Sequence, residues 1–365
     1  MKIVVIGTRG IPDIQGGIET LCQELYPRIA AMGYDVTVIG RKPYLPKTVK
    51  FYKGVQLINL YAPKSKRFET IVHTFLAVLK ARSMNPNILH VHAVGPALVV
   101  PLARLLGMKV VFTHHGSDYD RSKWGLVART MLKLGERMAC RYADEVIVIS
   151  DEIRRLLSRK YGRTRNVHLI YNGVPKPDVC DYSEYFTELG IEKGKYVLGV
   201  CRFVPEKRLH DLIAAFALLR ENGRLPAGLR LVLAGDTNFE DDYSRSLKQQ
   251  ARDAGVVLTG FIKGRKLHSL LTHASCYVQP SSHEGLSISL LEAMSYRLPV
   301  VVSDIPANLE VGLADDCYFH MGNVEQLTAH IGDIVNGDLR RMDYDMKKYD
   351  WDNIACQVCR VYNNT

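Results

Sequence analysis

Cys276-Tyr277-Val278-Gln279-Pro280-Ser281-Ser282-His283-Glu284-Gly285-Leu286-Ser287 runs on through Leu291-Glu292-Ala293-Met294 to Val300-Val301-Val302-Ser303. It reads as a short apolar strand, a polar turn, a helix and a second apolar strand. Short apolar runs of this kind fit strands covered on both faces, as in a parallel sheet flanked by helices. The same rhythm extends through the chain in both directions. In the second half it predicts strands at Tyr196–Val200, Arg230–Ala234, Val256–Thr259, Cys276–Gln279 and Val300–Ser303. Helices are predicted at Glu206–Glu221, Asp242–Asp253, Arg265–Thr272 and Gly285–Tyr296. In the first half the strands are Lys2–Ile6, Val36–Ile39, Gln56–Leu60, Ile88–Val91, Lys109–Thr113, Glu145–Ile149 and Val167–Ile170. The helices there are Gly17–Ala31, Glu69–Ser83, Lys123–Tyr142 and Asp151–Tyr161, the last with Ser150 as its N-cap.

Asn172-Gly173-Val174-Pro175-Lys176-Pro177 breaks the rhythm and reads as a linker. The expected fold class is therefore α/β, with two tandem doubly wound Rossmann-like domains and a ligand cleft between them, beyond the carboxyl ends of the strands. The expected division is 1–172, joined by a C-terminal helix at about 342–365, and 173–341.

A chain of 365 residues with 47% hydrophobic and 24% charged residues can bury two cores and is not disordered. Met1–Ile6 is too short for the apolar core of a signal peptide. The longest apolar stretch, Ala97–Phe112, is interrupted by Pro101, Arg104 and Lys109, so a cytoplasmic protein is expected. Residues 1–180 carry 28 Lys and Arg against 13 Asp and Glu, and the remainder 20 against 25, which points the first half toward an acidic partner. Of the eight cysteines only Cys356 and Cys359 form a C-x-x-C, and a zinc site would need a second ligand pair. Helical packing is the plainer account of that pair.

Four loops carry candidate chemistry. On a helix running from Gly285, Glu284 and Glu292 would lie near one face, about 12 Å apart along the axis. That separation suits two grips on one elongated ligand and is too long for two carboxylates acting on one bond. Amides near Gly285–Ser287 could meet an anion. A solvated helix face explains the same two residues. Arg202 and Lys207 bracket the turn Phe203-Val204-Pro205-Glu206, where two cations suit a diphosphate or are simply solvated. Gly7-Thr8-Arg9-Gly10 through Gly16-Gly17-Ile18-Glu19 joins the first strand to the first helix. It is neither G-x-G-x-x-G nor a P-loop, which disfavours a dehydrogenase, yet Gly16 and Gly17 allow close backbone approach to a ligand. In Thr113-His114-His115-Gly116-Ser117-Asp118 the adjacent imidazoles point opposite ways in extended backbone. A sugar-contacting or structural histidine is then more economical than a metal site.

The run Pro280–Met294, followed by Leu298-Pro299-Val300-Val301-Val302-Ser303-Asp304, resembles the nucleotide-binding signature of family 4 glycosyltransferases, retaining enzymes of GT-B fold. Arg202 and Lys207 stand where that family holds the donor diphosphate. Gly235-Asp236 and Gly260-Phe261 are similar to its donor-domain loops, and Asn172-Gly173-Val174 to its interdomain turn. Met1–Thr20 and the stretch from His115-Gly116 to Glu136 resemble a rhamnosyltransferase-like subgroup that builds bacterial surface polysaccharide. The resemblance implies an acceptor-binding first domain and a donor-binding second one, with Glu292 on the ribose and His115 and Glu284 on the donor sugar. Gly16, Gly17, Gly235, Gly260, Phe261, Gly285, Leu286 and Ser287 would line the donor. It further implies same-face displacement, in which the leaving diphosphate takes the acceptor proton. No metal, cofactor or covalent nucleophile would then be needed. Three departures stand out: Thr237-Asn238 follow Gly235-Asp236, Tyr296-Arg297 follow the helix, and Asp118 replaces a frequent Glu. The alternatives are a nucleotide-sugar epimerase of the same fold and a non-catalytic nucleotide-sugar-binding protein.

Lys64, Lys66, Arg67 and Phe68, and Arg121, Lys123 and Trp124, combine cations with an aromatic ring. Arg129, Lys133, Arg137 and Arg141 repeat every four residues along one helix. A solvated face accounts for them. So does peripheral docking on the anionic inner face of the plasma membrane, with capture of a lipid-diphosphate or glycan acceptor. No nucleic-acid-binding module is recognisable.

Overall fold

Parallel sheets dominate the computed structural model, which describes residues 1–45, 48–63, 69–116, 119, 125–237, 240–337 and 341–365. The chain forms two compact units, Met1–Gly173 with Lys348–Thr365, and Val174–Lys347. The first runs β1 (Lys2–Ile6), α1 (Gly17–Ala31), β2 (Asp35–Arg41), β3 (Phe51–Tyr52), β4 (Val55–Leu60), α2 (Glu69–Ser83), β5 (Ile88–His92), α3 (Val100–Leu105), β6 (Val110–His114), α4 (Leu126–Tyr142), β7 (Glu145–Val148), α5 (Asp151–Tyr161) and β8 (Val167–Leu169). Its strand order is β3-β4-β2-β1-β5-β6-β7-β8. Every neighbouring pair is parallel except the β3–β4 hairpin. The order reverses between β1 and β5, and it is beyond the carboxyl edge at such a reversal that open α/β sheets bind ligands.

The second unit continues with α6 (Ser183–Leu189), β9 (Tyr196–Val200), α7 (Leu209–Glu221), β10 (Arg230–Ala234), α8 (Asp242–Asp253), β11 (Val257–Gly260), α9 (Arg265–His273), β12 (Cys276–Gln279), α10 (Ile288–Ser295), β13 (Val300–Ser303), α11 (Pro306–Leu309), β14 (Tyr318–Phe319) and α12 (Val324–Asn336). Its six strands are all parallel, ordered β11-β10-β9-β12-β13-β14, with the reversal between β9 and β12. The two orders, the β3 hairpin aside, are those of doubly wound Rossmann-like sheets.

α13 (Trp351–Asn364) returns to the first unit. Trp351, Ile354, Val358 and Tyr362 recur at helical spacing and join Leu21, Leu25 and Tyr26 in one apolar core. The Trp351 ring lies so close under Gly173 that a Cβ there would meet it at 2.4 Å. Cys356 is exposed and Cys359 buried, one turn apart on this helix.

The sequence pattern runs three helices too far toward their N-termini. α4 begins at Leu126, after an extended Gly125. Before α7 the backbone makes a 3-10 turn at Pro205–Lys207, and Arg208 then takes a left-handed φ of 48°. α10 begins at Ile288, because Ser287 is extended and its hydroxyl accepts from the Leu290 amide at 3.4 Å. Glu284 therefore lies in a loop, and the one-helix spacing to Glu292 does not apply. The tail is helical only from Trp351, after a 3-10 turn at Lys347–Tyr349. The short strands β3 and β14 have no sequence counterpart in the periodicity.

Candidate functional site

In the second unit the β9–β12 reversal brings the loop 201–208 beside the loop 280–287. Phe203 and Glu206 are buried and anchor the first loop. The Ser282 amide and hydroxyl both donate to the Glu206 carbonyl, at 2.9 and 3.2 Å, which ties the loops together. Across that seam the Lys207 ammonium pairs with the Glu284 carboxylate, their side chains 15% and 10% exposed. An ion pair so shielded from water is little screened by salt.

Arg202, Lys207 and Glu284 all act electrostatically on the Cys201 thiol, which burial pushes up to about 12. Glu284 and Glu292 both act on the Tyr277 phenol, which burial raises. The two cations and two carboxylates singled out from the sequence therefore converge in this unit. α10 puts Glu292 there, and the loop before it puts Glu284 there.

Behind the 280–287 loop lies a buried polar network that the sequence reading missed. The Ser287 hydroxyl donates to Gln279 Oε1 at 2.5 Å, and the Tyr277 hydroxyl lies 3.2 Å from that oxygen and 3.0 Å from Ser289 Oγ. Gln279 Nε2 donates to Asn308 Oδ1 at 3.1 Å, and Asn308 Nδ2 to the Ser303 carbonyl at 2.9 Å. The Ser287 side chain is directed into this network. Leu286 is buried and Gly285 half-buried. Gly235 closes the neighbouring loop with φ at 132°, and a Cβ there would stand 1.9 Å from the Cys201 carbonyl oxygen. Its amide donates to the Gly260 carbonyl at 2.9 Å, and Phe261 beyond is 47% exposed. The Asp236 carboxylate pairs with Lys248 at 2.9 Å.

The first unit holds the other candidates. Glu19 folds back on the loop after β1, accepting from the Arg9 amide at 3.0 Å and the Thr8 hydroxyl at 3.4 Å. A Cβ at Gly16, where φ is 149°, would sit 2.0 Å from Glu19 Oε2, whereas one at Gly17 would meet nothing within 4 Å. Gly17 thus opens α1 onto free space. His114 and His115 do point apart. His114 Nε2 is 2.8 Å from Glu136 Oε1, and its Nδ1 accepts from the Gly116 amide at 3.1 Å. His115 turns the other way, its Nε2 2.9 Å from His92 Nδ1 and the two rings stacked at 5.1 Å.

Glu136 has no solvent exposure. Its carboxylate also takes Lys160 Nζ and the Tyr161 hydroxyl, both at 2.6 Å, and the Tyr119 hydroxyl at 3.1 Å. Burial pushes its pKa up, but the hydrogen bonds and charges of His114, Lys160 and Tyr161 prevail and hold it at about 2. His90 and His92 alternate along β5, where every other residue is apolar. Two imidazoles on one face of a fully buried strand demand partners, and that demand was a readable signal. Lys64, Lys66, Arg67, Lys123 and Trp124 lie outside the described residues, as do Ser117, Asp118 and Asn238. Among the described residues no cluster of three His, Cys, Asp or Glu is placed to hold a metal ion, and no helix is long and apolar enough to cross a membrane.

Residues 15–176 match the model of "Glycosyltransferase Family 4" and residues 181–351 that of "Glycosyl transferases group 1". An uncharacterized glycosyltransferase of Methanocaldococcus jannaschii is 25% identical over 99% of this chain and 98% of its own length. The O-antigen chain mannosyltransferase B of Escherichia coli is 29% identical over 46% of this chain and 45% of its own. Among solved structures, sucrose-phosphate synthase from Thermosynechococcus elongatus superposes with a TM-score of 0.84 at 21% identity, covering 100% and 98% of the two chains. Anabaena HepE, solved with UDP and glucose, gives 0.80 at 19% identity over both whole chains.

Proposed function

We propose that this chain, a nucleotide-sugar glycosyltransferase of the GT4 class with GT-B architecture, transfers a hexose or deoxyhexose with retention to a lipid-linked or growing surface glycan. The observation that carries the donor half of this reading is the convergence of Arg202, Lys207, Glu284 and Glu292 at the β9–β12 reversal. Arg202 and Lys207 there can hold a diphosphate and stabilise the charge that grows on it as the glycosidic bond breaks. Glu284 steadies the Lys207 ammonium and accepts from a sugar hydroxyl, and Glu292 accepts from a ribose. Gly17 offers the α1 amides, and His115 a ring nitrogen for the transferred sugar. The leaving diphosphate takes the acceptor proton, and no metal or cofactor is required. HepE was solved with UDP and glucose, which supports a nucleotide-diphosphate donor here. The O-antigen mannosyltransferase likeness supports a surface-glycan acceptor.

The acceptor side rests on α4. Lys133, Arg137 and Arg141 are exposed there together with Leu126, Val127, Leu134 and Tyr142. Cations interleaved with apolar side chains suit the interface of an anionic membrane, where a lipid-diphosphate acceptor would reside. A thermal-shift screen against UDP-, GDP-, ADP- and dTDP-sugars identifies the donor, because a ligand of the native state raises the melting temperature. With that donor, Arg202→Ala or Lys207→Ala should each lower turnover on the order of 10²–10³-fold. Unchanged turnover in both removes the diphosphate assignment. Release of free nucleotide only when acceptor is added separates transfer from epimerisation, which would convert the donor to its epimer without net release of nucleotide.

A further inference from the structure

The backbone of Arg9, just past the end of β1, is pinned on both sides. Its amide donates to Glu19 Oε1 at 3.0 Å, and its carbonyl accepts from the amide of Arg41, the last residue of β2, at 2.8 Å. The side chain is only partly exposed. Its guanidinium carbon lies 5.4 Å from the centroid of the Tyr44 ring, and Nη1 donates to the Gln15 carbonyl at 3.3 Å. The ring beneath it is fixed in turn. The Tyr44 hydroxyl donates to Glu69 Oε2 at 3.4 Å, and Glu69 Oε1 takes the Arg41 guanidinium at 3.0 Å. Arg9, Arg41 and Glu69 all act electrostatically on the Tyr44 phenol, which burial raises, so the four side chains form one cluster at the carboxyl edge of β1 and β2.

The charges in this cluster do not balance. Glu69 is occupied by Arg41, in a pair whose side chains are 9% and 13% exposed. Glu19 is engaged by the Arg9 amide and the Thr8 hydroxyl. Among the described residues no carboxylate forms an ion pair with the Arg9 guanidinium. A guanidinium has five N–H groups, and the Gln15 carbonyl takes one of them. A cation drawn partly out of water is costly until an anion replaces the lost hydration. This arginine is also ordered before any ligand arrives, and such preorganisation lowers the cost of binding. The remaining N–H groups of the planar fork match two oxygens of a phosphate.

We propose that Arg9, seated on Tyr44, is an anion subsite for the acceptor, and that the acceptor carries a phosphate. The assignment to the acceptor rests on the glycosyl-transfer reading above, and the anion site does not. Two observations turn it toward the acceptor. The donor diphosphate already has two cations, Arg202 and Lys207, in the second unit. Within the first sheet Arg9 is bonded on the β2 side of β1, whereas His115, assigned to the donor sugar, follows β6 on the other side. Tyr44 is a positioning residue that carries the guanidinium, and the Arg41–Glu69 pair holds Tyr44. An acceptor without phosphate leaves the Arg9 cation partly buried and unpaired, so the subsite selects against it. A lipid-linked phosphate and a soluble sugar phosphate both offer this chemistry.

Calorimetric titration of inorganic pyrophosphate into the full chain tests the anion site without any sugar. In the double variant Arg202→Ala, Lys207→Ala, which lacks the donor cations, one site should remain. Adding Arg9→Met keeps an unbranched stem over Tyr44 and deletes the charge, and it should weaken that site at least about tenfold. Arg9→Lys keeps the charge but loses the fork, and it should weaken the site about threefold. No pyrophosphate binding in the double variant overturns the proposal, as does an Arg9→Met affinity equal to that of its parent. With the donor found by screening, Arg9→Met should raise the acceptor KM about tenfold and change the donor KM by less than about twofold. The acceptors compared are a soluble sugar phosphate and a polyprenyl-diphosphate-linked sugar in phosphatidylcholine vesicles, each beside its phosphate-free counterpart. A wild-type preference for either phosphorylated form supports the subsite and identifies the source of the phosphate. Equal use of the phosphorylated and phosphate-free forms overturns it. If the wild type transfers sugar to none of them, the transfer reading falls, and the calorimetry still decides the anion site.

Discussion

Glu136→Gln gives a direct measure of what the buried carboxylate contributes, because its partners are all within the first unit. The carboxylate is completely buried, and its pKa is held at about 2 against an ordinary 4.5. At roughly 1.4 kcal/mol per pH unit that difference corresponds to about 3 kcal/mol of folding stability at pH 7. The sign follows from the folded value lying below the unfolded one. The contribution is complete above about pH 4.5 and is lost as pH falls toward 2. A glutamine cannot titrate, and its amide nitrogen brings a donor to a place ringed by the donors His114, Lys160, Tyr119 and Tyr161. Trp351 is buried in the core of the first unit, so its fluorescence follows that unit's unfolding in urea. The variant should be about 3 kcal/mol less stable at pH 7, and the gap should close to about 1 kcal/mol at pH 3. A gap of equal size at both pH values would refute the ion-pair account and leave only a packing defect. No gap at pH 7 would refute the depressed pKa itself.

Glu284→Gln should lower turnover at least tenfold more than Glu325→Gln, an exposed change on α12, because Glu284 is the partner of Lys207. Equal kcat/KM in the two variants would make Glu284 structural. Gly235→Ala forces a Cβ against the Cys201 carbonyl at a φ that L-residues avoid, so it should destabilise the second unit by at least about 2 kcal/mol, read by calorimetry. Wild-type melting would mean that the loop relaxes freely. Gln279→Leu leaves the Ser287 hydroxyl and Asn308 Oδ1 without their partner, and hydrogen exchange in α10 should speed up by the equivalent of about 1–3 kcal/mol. Unchanged exchange there would show that the network does not hold the helix start.

The alternation of apolar strands and helices carried most of the fold. β1, β9, β10, β12 and β13 fall within a residue of where their apolar runs place them, because buried parallel strands leave little choice of composition. The convergence of Arg202, Lys207, Glu284 and Glu292 was also readable, since the carboxyl ends of β9 and β12 flank the reversal in strand order. The start of α10 was not, because helix propensity does not reveal that the Ser287 hydroxyl will cap the helix while also bonding Gln279. Arg208 illustrates the same limit. A left-handed arginine breaks the helix that Glu206–Glu221 suggests, and it persists because Asp211 holds the guanidinium at 2.6 Å. The His90–His92 pair was legible in principle, but its partners Tyr26 and Tyr362 lie 64 and 272 residues from His90. No local pattern joins such positions.

Those partners share a design that bears on how the site works. Two of the chemistry-bearing loops, those after β12 and β6, are held from behind by polar residues at the very end of buried strands. Gln279 closes β12 and holds Ser287, His114 closes β6 and holds the Gly116 amide, and His92 closes β5 and holds His115. At such a position the backbone is fixed by the sheet while the side chain reaches the loop that departs from the same edge. A buried polar side chain there is costly unless every partner is present, so the loop has one low-energy arrangement. That is what preorganised stabilisation of a developing charge requires. Substitutions at Gln279, His114 or His92 should therefore reduce turnover without touching any ligand, by loosening the loops that carry Glu284 and His115.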